Sequence, residues 1–185
     1  MSKPILDVLP ESTALPDGTR VQFRVVSPAD QPLIQAAVGR MSAETSARRF
    51  FTVRRQLSEL ELHRLTDMDG WERFAIGATA HRSDGTVEGI GVARFHRLAD
   101  EPDAAEFALV VVDGYQRQGI GKRLLAALVR AARQRGIQRL RGIVQADNRP
   151  MLEMLARHAP ELVRVEAPEG VEVELPLDAH DPATA

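Results

Sequence analysis

The sequence predicts a mixed α/β fold built around a mostly antiparallel sheet. Three observations favour it: consecutive strand-like segments fill the middle of the chain, a helical repeat begins at Ile120, and further strand-like segments follow that helix. The 185 residues, 44% of them hydrophobic, are enough for one domain with one core. We therefore expect a single domain at 18–177, between a flexible N-terminal segment (1–17) and a polar tail (178–185).

Composition and charge exclude several classes of protein. The formal net charge of -2 gives no overall attraction to nucleic acid or to an anionic membrane. The absence of cysteine excludes disulfides, thiolate metal sites and cysteine nucleophiles, and it fits a reducing cytoplasm. No apolar run approaches the length of a membrane span, and the start of the chain lacks a signal-peptide pattern. We expect a soluble, cytoplasmic protein without nucleic-acid or membrane partners, and no histidine spacing predicts a metal site.

The first half of the chain alternates strand and helix signals. The segment 21–26 (VQFRVV) predicts a strand, and Ser27 or Asp30 then caps a helix. A second helix is predicted after Ser58. Strand patterns follow at 73–81, 86–96 and 105–113. The glycine pair within 89–91 predicts a β-bulge in the second of these strands.

The second half contains the longest helix pattern. Apolar residues repeat at helical spacing over 120–136, and the segment 139–145 predicts another strand. Asn148 is a cap for a short helix that begins at Pro150, and a closing hairpin is centred on 167–170. Together these elements predict about six to seven strands with helices on both faces, and a right-handed crossover at the central helix.

The turn before the long helix, at 116–121 (QRQGIG), carries the most specific chemistry. Gly119 and Gly121 remove side chains where the helix starts, so that several backbone N–H groups can point at one anion. Arg117, Lys122 and Arg123 add positive charge at a helix end where the macrodipole favours acidic residues. These features indicate an anionic ligand such as a pyrophosphate. The alternative is a glycine-rich helix cap that binds nothing.

Two common phosphate-binding motifs are excluded by residues in this turn. A P-loop needs glycine at the position of Gln116 and serine or threonine at that of Arg123. The dinucleotide-binding fingerprint needs a third glycine where Leu124 stands. The turn therefore fits neither ATP binding of the P-loop type nor a Rossmann site.

The pattern Gln-x-x-Gly-x-Gly at 116–121, directly after a strand, resembles the signature of the GNAT superfamily of acyl-CoA-dependent N-acyltransferases. Within it the chain is most similar to the bacterial protein lysine acetyltransferase branch. That similarity lies in the segments 46–51, 105–137 and 146–151. The resemblance spans roughly residues 20–177. It implies a GNAT-like fold and an acetyltransferase that takes acetyl-CoA as co-substrate and needs no metal.

The resemblance also implies roles for particular residues. The implied cofactor-binding residues are Leu109, Val110, Val111, Gln116, Arg117, Gln118, Gly119, Ile120, Gly121, Lys122 and Asn148. The first three would pair their backbone with the pantetheine arm, and the residues of the turn would hold the pyrophosphate. Asn148 would contact the cofactor near its reactive end, and Glu106 matches the strand glutamate that serves as general base.

Strand alternation adds an independent argument about Glu106. It places this residue on one face with Ala108, Val110 and Val112, and that face is otherwise apolar. A carboxylate there lies near an opening or has a raised pKa, and both suit a general base. A lysine amine needs such a base, because freeing it at neutral pH costs about 4–5 kcal/mol. A solvent-facing strand residue without a catalytic role is the alternative.

Many members of this superfamily carry a tyrosine that protonates the leaving thiolate, and Leu155 stands at that position here. No general acid can be assigned, although a thiol with a pKa near ~8.5 leaves readily without one. The preferred function is transfer of an acetyl or similar short acyl group to a primary amine, with a protein lysine favoured over a small-molecule amine by the resemblance. A non-catalytic sensor that binds acyl-CoA is the alternative.

Overall fold

A computed structural model describes residue 9 and residues 11–177. The strands are β1 (Glu11–Ala14), β2 (Arg20–Val25), β3 (Arg73–His81), β4 (Val87–Arg97), β5 (Ala104–Val111), β6 (Arg139–Val144), β7 (Val163–Ala167) and β8 (Gly170–Pro176). The helices are α1 (Gln31–Arg40), α2 (Ala43–Phe50), α3 (Glu59–Thr66), α4 (Ile120–Arg133) and α5 (Arg149–His158). The predicted mixed α/β class is confirmed, with eight strands where about six to seven were expected.

Two elements were not predicted from the sequence. β1 lies within the segment expected to be a flexible N-terminus, and it pairs antiparallel with β2 at one edge of the sheet. α2 is mostly polar, with only Ala43, Ala47 and Phe50 at helical spacing, and no helix was predicted from this short pattern. Its stability comes from its ends: the Ser42 side chain accepts a hydrogen bond from the Thr45 N–H (3.0 Å), and Arg48 and Arg49 lie in the last turn. The predicted polar tail lies outside the described residues.

The strands form one sheet in the order β1-β2-β3-β4-β5-β6-β8-β7. All neighbours are antiparallel except β5 and β6, which are parallel and joined through α4, as expected for a crossover. The register between β3 and β4 shifts at Ile90, which is the bulge predicted from the glycine pair. β5 and β6 pair only over Ala104–Glu106. Beyond Glu106, β5 has β4 on one side and none of the described strands on the other.

Helices cover both faces of the sheet, as predicted. α4 and α5 pack over one face, where Leu124, Leu128 and Leu155 are fully buried in the larger core. α1 and α3 pack over the other face, where a smaller core includes Val38 and Val110. Across residue 9 and residues 11–177, no helix is long and apolar enough to cross a membrane.

Candidate active site

The unpaired edge of β5 is the first component of the site. On its paired side, the Val112 N–H donates to the Ile90 carbonyl (2.9 Å) and the Ala104 carbonyl accepts from the Leu98 N–H (3.0 Å). Backbone groups alternate in direction along an antiparallel strand, so the even-numbered residues of β5 direct theirs to β4. The odd-numbered residues direct theirs to the opposite edge, which β6 leaves open beyond the start of the strand.

The three residues predicted to pair with a pantetheine arm differ in the direction of their backbone groups. Leu109 and Val111 present their backbone to the open edge, where the Val111 carbonyl accepts from the Gln116 side-chain amide (3.0 Å). Val110 pairs its backbone with Val92, and its side chain is buried on the other face. Two of the three predicted residues thus have their backbone directed at the edge, and Leu109 is the more open of them.

The turn that follows β5 is shaped by two residues with positive φ angles. Gly119 is the N-cap of α4 with φ +80°, in the left-handed region that glycine favours, and Arg117 has φ +58°. The first helical hydrogen bond runs from the Arg123 N–H to the Gly119 carbonyl (3.1 Å). Within residues 11–177 and residue 9, nothing accepts a hydrogen bond from the four N–H groups of 119–122. This group of donors includes the predicted residues Gly119, Ile120, Gly121 and Lys122.

Gly121 has a different role from Gly119. A Cβ atom at position 121 would lie 3.3 Å from the Met154 sulfur and 3.7 Å from a methyl group of Val111. The missing side chain therefore lets the first turn of α4 approach β5 and α5 closely. Gly119 sets the direction of the chain, whereas Gly121 makes room for packing.

The two glutamines of the turn use their side chains to hold its shape. The Gln116 amide donates to the Val111 carbonyl and also to the Thr45 hydroxyl (3.1 Å). The Gln118 amide donates to the Gly114 carbonyl (3.0 Å). Because these side chains have partners within the protein, the backbone is the part of the turn that is open to a ligand.

The positive charges predicted beside the turn differ in their partners. Arg123 forms an ion pair with Glu11 at 2.8 Å. Arg117 and Lys122 are exposed, and neither forms an ion pair or a side-chain hydrogen bond with any described residue. These two cations are therefore the ones available to a phosphate group.

Helix α2 forms hydrogen bonds with residues on both sides of the gap between β5 and β6. On the β5 side, Asp113 accepts hydrogen bonds from the Ser42 N–H (2.9 Å), the Ser42 hydroxyl (2.6 Å) and the Thr45 hydroxyl (2.8 Å). On the β6 side, the Gln145 amide donates to the Ala47 carbonyl (3.0 Å). These contacts of α2 were not predicted from the sequence, although Ser42 and the flanking charges of α2 are a recognisable helix-capping signal.

Replacing Asp113 with alanine should lower the free energy of unfolding by about 1–2 kcal/mol, because three donors lose their acceptor and α2 loses an anchor. Chemical denaturation measures this, with Asp100→Ala as the control at an exposed aspartate. Partial burial favours a higher pKa, but the hydrogen bonds from Ser42 and Thr45 outweigh it and hold the pKa of Asp113 below its ordinary value of 3.8.

The direction of this pKa shift gives the pH dependence. A carboxylate with a lowered pKa in the folded protein stabilises it above the unfolded pKa, and this stabilisation is lost as the pH falls through the folded value. The difference between wild type and Asp113→Ala should therefore be constant near neutral pH and shrink below about pH 4. A difference that grows on acidification would contradict the role given to Asp113.

Glu106 lies where β5 and β6 begin to separate. It pairs with His96 on β4 and with Arg141 on β6, and its side chain is exposed. The apolar face therefore opens at this carboxylate, which is the first of the two situations expected from the sequence. Within the described chain it makes no hydrogen bond or ion pair, while Arg49 and Arg94 are close enough for its charge to influence their pKa values. No sequence pattern links these two arginines with the site, because they lie on different elements.

The remaining predicted positions lie near α5 and in the core. The Asn148 side chain accepts from the Met151 N–H (3.4 Å) and caps α5, as predicted. Leu155 is fully buried, so the position of the family tyrosine faces the core here. The single tyrosine, Tyr115, donates to Glu88 (2.9 Å) and accepts from Arg82 (3.0 Å). In the part of the chain that the structure covers, no cluster of three or more His, Asp or Glu residues could hold a metal ion.

Several known proteins are similar to this chain in sequence or in structure. The chain is 34% identical over 140 residues to Acetyltransferase Pat of Mycolicibacterium smegmatis, an alignment that covers 76% of this chain and 41% of that protein. It superposes on the GNAT domain of S. lividans PAT with a TM-score of 0.80 and 25% identity, covering 94% of this chain and 99% of that one.

A third relative is a cAMP-binding acyltransferase from Mycobacterium smegmatis, with a TM-score of 0.61 and 28% identity over 95% of this chain and 51% of that one. The chain thus spans about half or less of the length of the two M. smegmatis proteins. Similarity to the Pat proteins supports the branch indicated by the sequence. Residues 41–159, well over half of the chain, match the Acetyltransferase (GNAT) family. The chain belongs to this family.

Proposed function

We propose that this chain transfers an acetyl or similar short acyl group from acyl-CoA to a primary amine, and that the acceptor is a protein lysine. The observation that carries the proposal is that the open edge of β5 is followed, after one short loop, by the four free N–H groups at 119–122. An acyl-CoA has a long amide-containing arm joined to a pyrophosphate. The open edge of β5 offers backbone donors and acceptors for the amides of the arm. The start of α4, which follows β5 along the chain, offers N–H donors for the pyrophosphate.

The proposed binding mode assigns each end of the ligand to one element. The pantetheine amides would pair with the backbone of Leu109 and Val111 in the manner of an added strand. The pyrophosphate would accept from the N–H groups of 119–122, with Arg117 and Lys122 as counter-charges. The thioester would then lie toward the start of the open edge, near Glu106. Asn148 would contact the ligand at the same end.

Glu106 would act as the general base. The amine nitrogen attacks the thioester carbonyl carbon, the new C–N bond forms, and the C–S bond breaks with release of the CoA thiolate. Glu106 accepts the proton that the amine loses, and water can protonate the thiolate, whose ordinary pKa is near ~8.5. No protein acid is needed for this sequence of steps, which agrees with a buried Leu155.

The transferase proposal is tested by release of CoA thiol from acetyl-CoA across a panel of lysine peptides, folded proteins and small amines. Mass spectrometry of the products identifies the acceptor. We expect turnover with lysine-containing substrates. If acetyl-CoA binds but no amine is acylated in this panel, the sensor function replaces the enzyme.

Neutralising Arg117 and Lys122 together, as Arg117→Gln and Lys122→Gln, should weaken binding of CoA about 3- to 10-fold, because exposed charges contribute up to about 1 kcal/mol. Binding of pantetheine, which lacks the phosphates, should not change. Calorimetry at low and moderate salt measures both ligands, and Arg123→Gln is the control since Glu11 already pairs with Arg123. Equal losses for CoA and pantetheine would contradict the phosphate assignment.

A further inference from the structure

A cavity lies between α1, α2 and the sheet face that carries Glu106, and nothing proposed above uses it. Its wall is largely apolar and includes Ile34, Val38, Met41, Val92, Val110 and Val112. Four charged residues also line it. Two of them, Arg24 and Asp30, form an ion pair in which Arg24 donates to the Asp30 carboxylate at 2.9 Å. The other two are Arg49 and Arg94, which also line the cavity but take no part in this ion pair.

Arg49 and Arg94 form no direct ion pair with any described residue. Both are half-buried, and neither donates a hydrogen bond or forms an ion pair within residues 11–177. The Arg49 guanidinium lies over the Phe50 ring at 4.9 Å, a contact that leaves its N–H groups unpaired. Unpaired charge in a largely apolar wall is costly, so two such arginines in one cavity indicate a missing anion.

The local charges agree with this reading. The pKa of Arg49 is lowered to about 10, mainly by burial and also by the charge of Arg94, while Glu106 acts in the opposite direction. Burial also lowers the pKa of Arg94, again opposed by Glu106. Both side chains stay protonated at neutral pH. The positive charges of Arg49 and Arg94 are opposed only by the nearby carboxylate of Glu106 among the described residues that influence them. One additional negative charge would balance the two arginines.

The position of Arg94 indicates which substrate brings that charge. Arg94 pairs with Ala108 in the β4–β5 register, and both side chains lie on the Glu106 face of the sheet. Ala108, a small residue, lies between Arg94 and the open edge of β5. An acyl group held at the open edge of β5 therefore has to cross one strand, about 4.8 Å, to reach Arg94. A chain of two methylene groups that ends in a carboxylate covers such a distance.

We propose that Arg49 and Arg94 bind the terminal carboxylate of a dicarboxylic acyl-CoA of the succinyl class, so that the chain transfers an acidic acyl group. The inference rests on the proposed acyltransferase function and extends it to the choice of acyl group. The reaction is unchanged: the amine attacks the thioester carbonyl, CoA leaves as the thiol, and the distal carboxylate stays intact in the amide product.

Calorimetric titration with succinyl-CoA, butyryl-CoA and acetyl-CoA tests the inference, because butyryl has the same number of carbons without the charge. The wild type should bind succinyl-CoA about 10- to 100-fold more tightly than butyryl-CoA, as expected for charge-assisted hydrogen bonds to arginine. Arg94→Met and Arg49→Met should each remove most of this preference. Arg20→Met, which removes a positive charge on β2 outside the cavity, should keep it.

Acetyl-CoA affinity separates failure of the inference from failure of the proposed function. If all variants bind acetyl-CoA and the wild type binds succinyl-CoA and butyryl-CoA equally, the carboxylate subsite is wrong. It is also wrong if Arg94→Met keeps the preference, or if the arginines discriminate among acidic and neutral acceptors instead of donors. If no CoA thioester binds to the wild type, the proposed function fails and the subsite fails with it.

Discussion

Replacing Glu106 with glutamine should lower the turnover number of amine acetylation about 10²- to 10⁴-fold and leave acetyl-CoA affinity unchanged. Glutamine is nearly isosteric with glutamate but cannot accept a proton at neutral pH. The Glu106 carboxylate makes no hydrogen bond or ion pair with the described residues, so the substitution breaks no structural contact. Binding and catalysis should therefore separate in this variant.

Steady-state CoA release with an identified acceptor measures the effect, and calorimetry measures the affinity. Glu172→Gln is the matched control, since Glu172 is an exposed strand glutamate on β8 away from the open edge. The pH–rate profile of Glu106→Gln should retain only the limb that reports deprotonation of the acceptor amine. Wild-type turnover in Glu106→Gln across this pH range would place the base elsewhere.

The fold could be predicted where local patterns coincide with burial. α4 has apolar residues at helical spacing, and β3, β4 and β5 are dense in strand-forming residues. β1 and α2 have only weak local patterns because their residues are mostly polar, and contacts with other segments help to hold them in place. β1 depends on pairing with β2, and α2 depends on contacts with Asp113 and Gln145. Such long-range contacts cannot be read from a local window.

The candidate site shows the same division. The glycine turn was predicted from a short motif, and Glu106 was predicted from the family resemblance together with strand alternation. Sequence alone did not show that the backbone of Leu109 is directed at the open edge and that of Val110 at β4. This distinction follows from the register between β4 and β5. Arg49 and Arg94 lie on separate elements, and only the packing of α2 over the sheet brings them to one cavity. Cavities formed between distant segments are therefore the part of a site that sequence patterns miss.

Gly119→Val should weaken acetyl-CoA binding by at least about 100-fold, because the loss of two charge-assisted hydrogen bonds at about 1.5–3 kcal/mol each is enough for that effect. A β-branched residue is strained at φ +80°, so the turn has to change its path to relieve the strain. The N–H groups of 119–122 would then no longer converge on one anion. No heavy atom of the described residues lies within 4 Å of the added Cβ, so crowding is not the reason for the expected loss.

Two other glycines make this test specific. Gly114 lies in the same loop with an ordinary φ and open space around its Cβ position, so Gly114→Val should bind acetyl-CoA as the wild type does. Gly121→Val would crowd Met154 and is expected to lower the melting temperature, so it cannot separate binding from packing. Calorimetry on Gly119→Val with a native circular dichroism spectrum therefore decides the question. Wild-type affinity in that variant would show that the pyrophosphate is bound elsewhere, since the direction of these N–H groups is what the substitution changes.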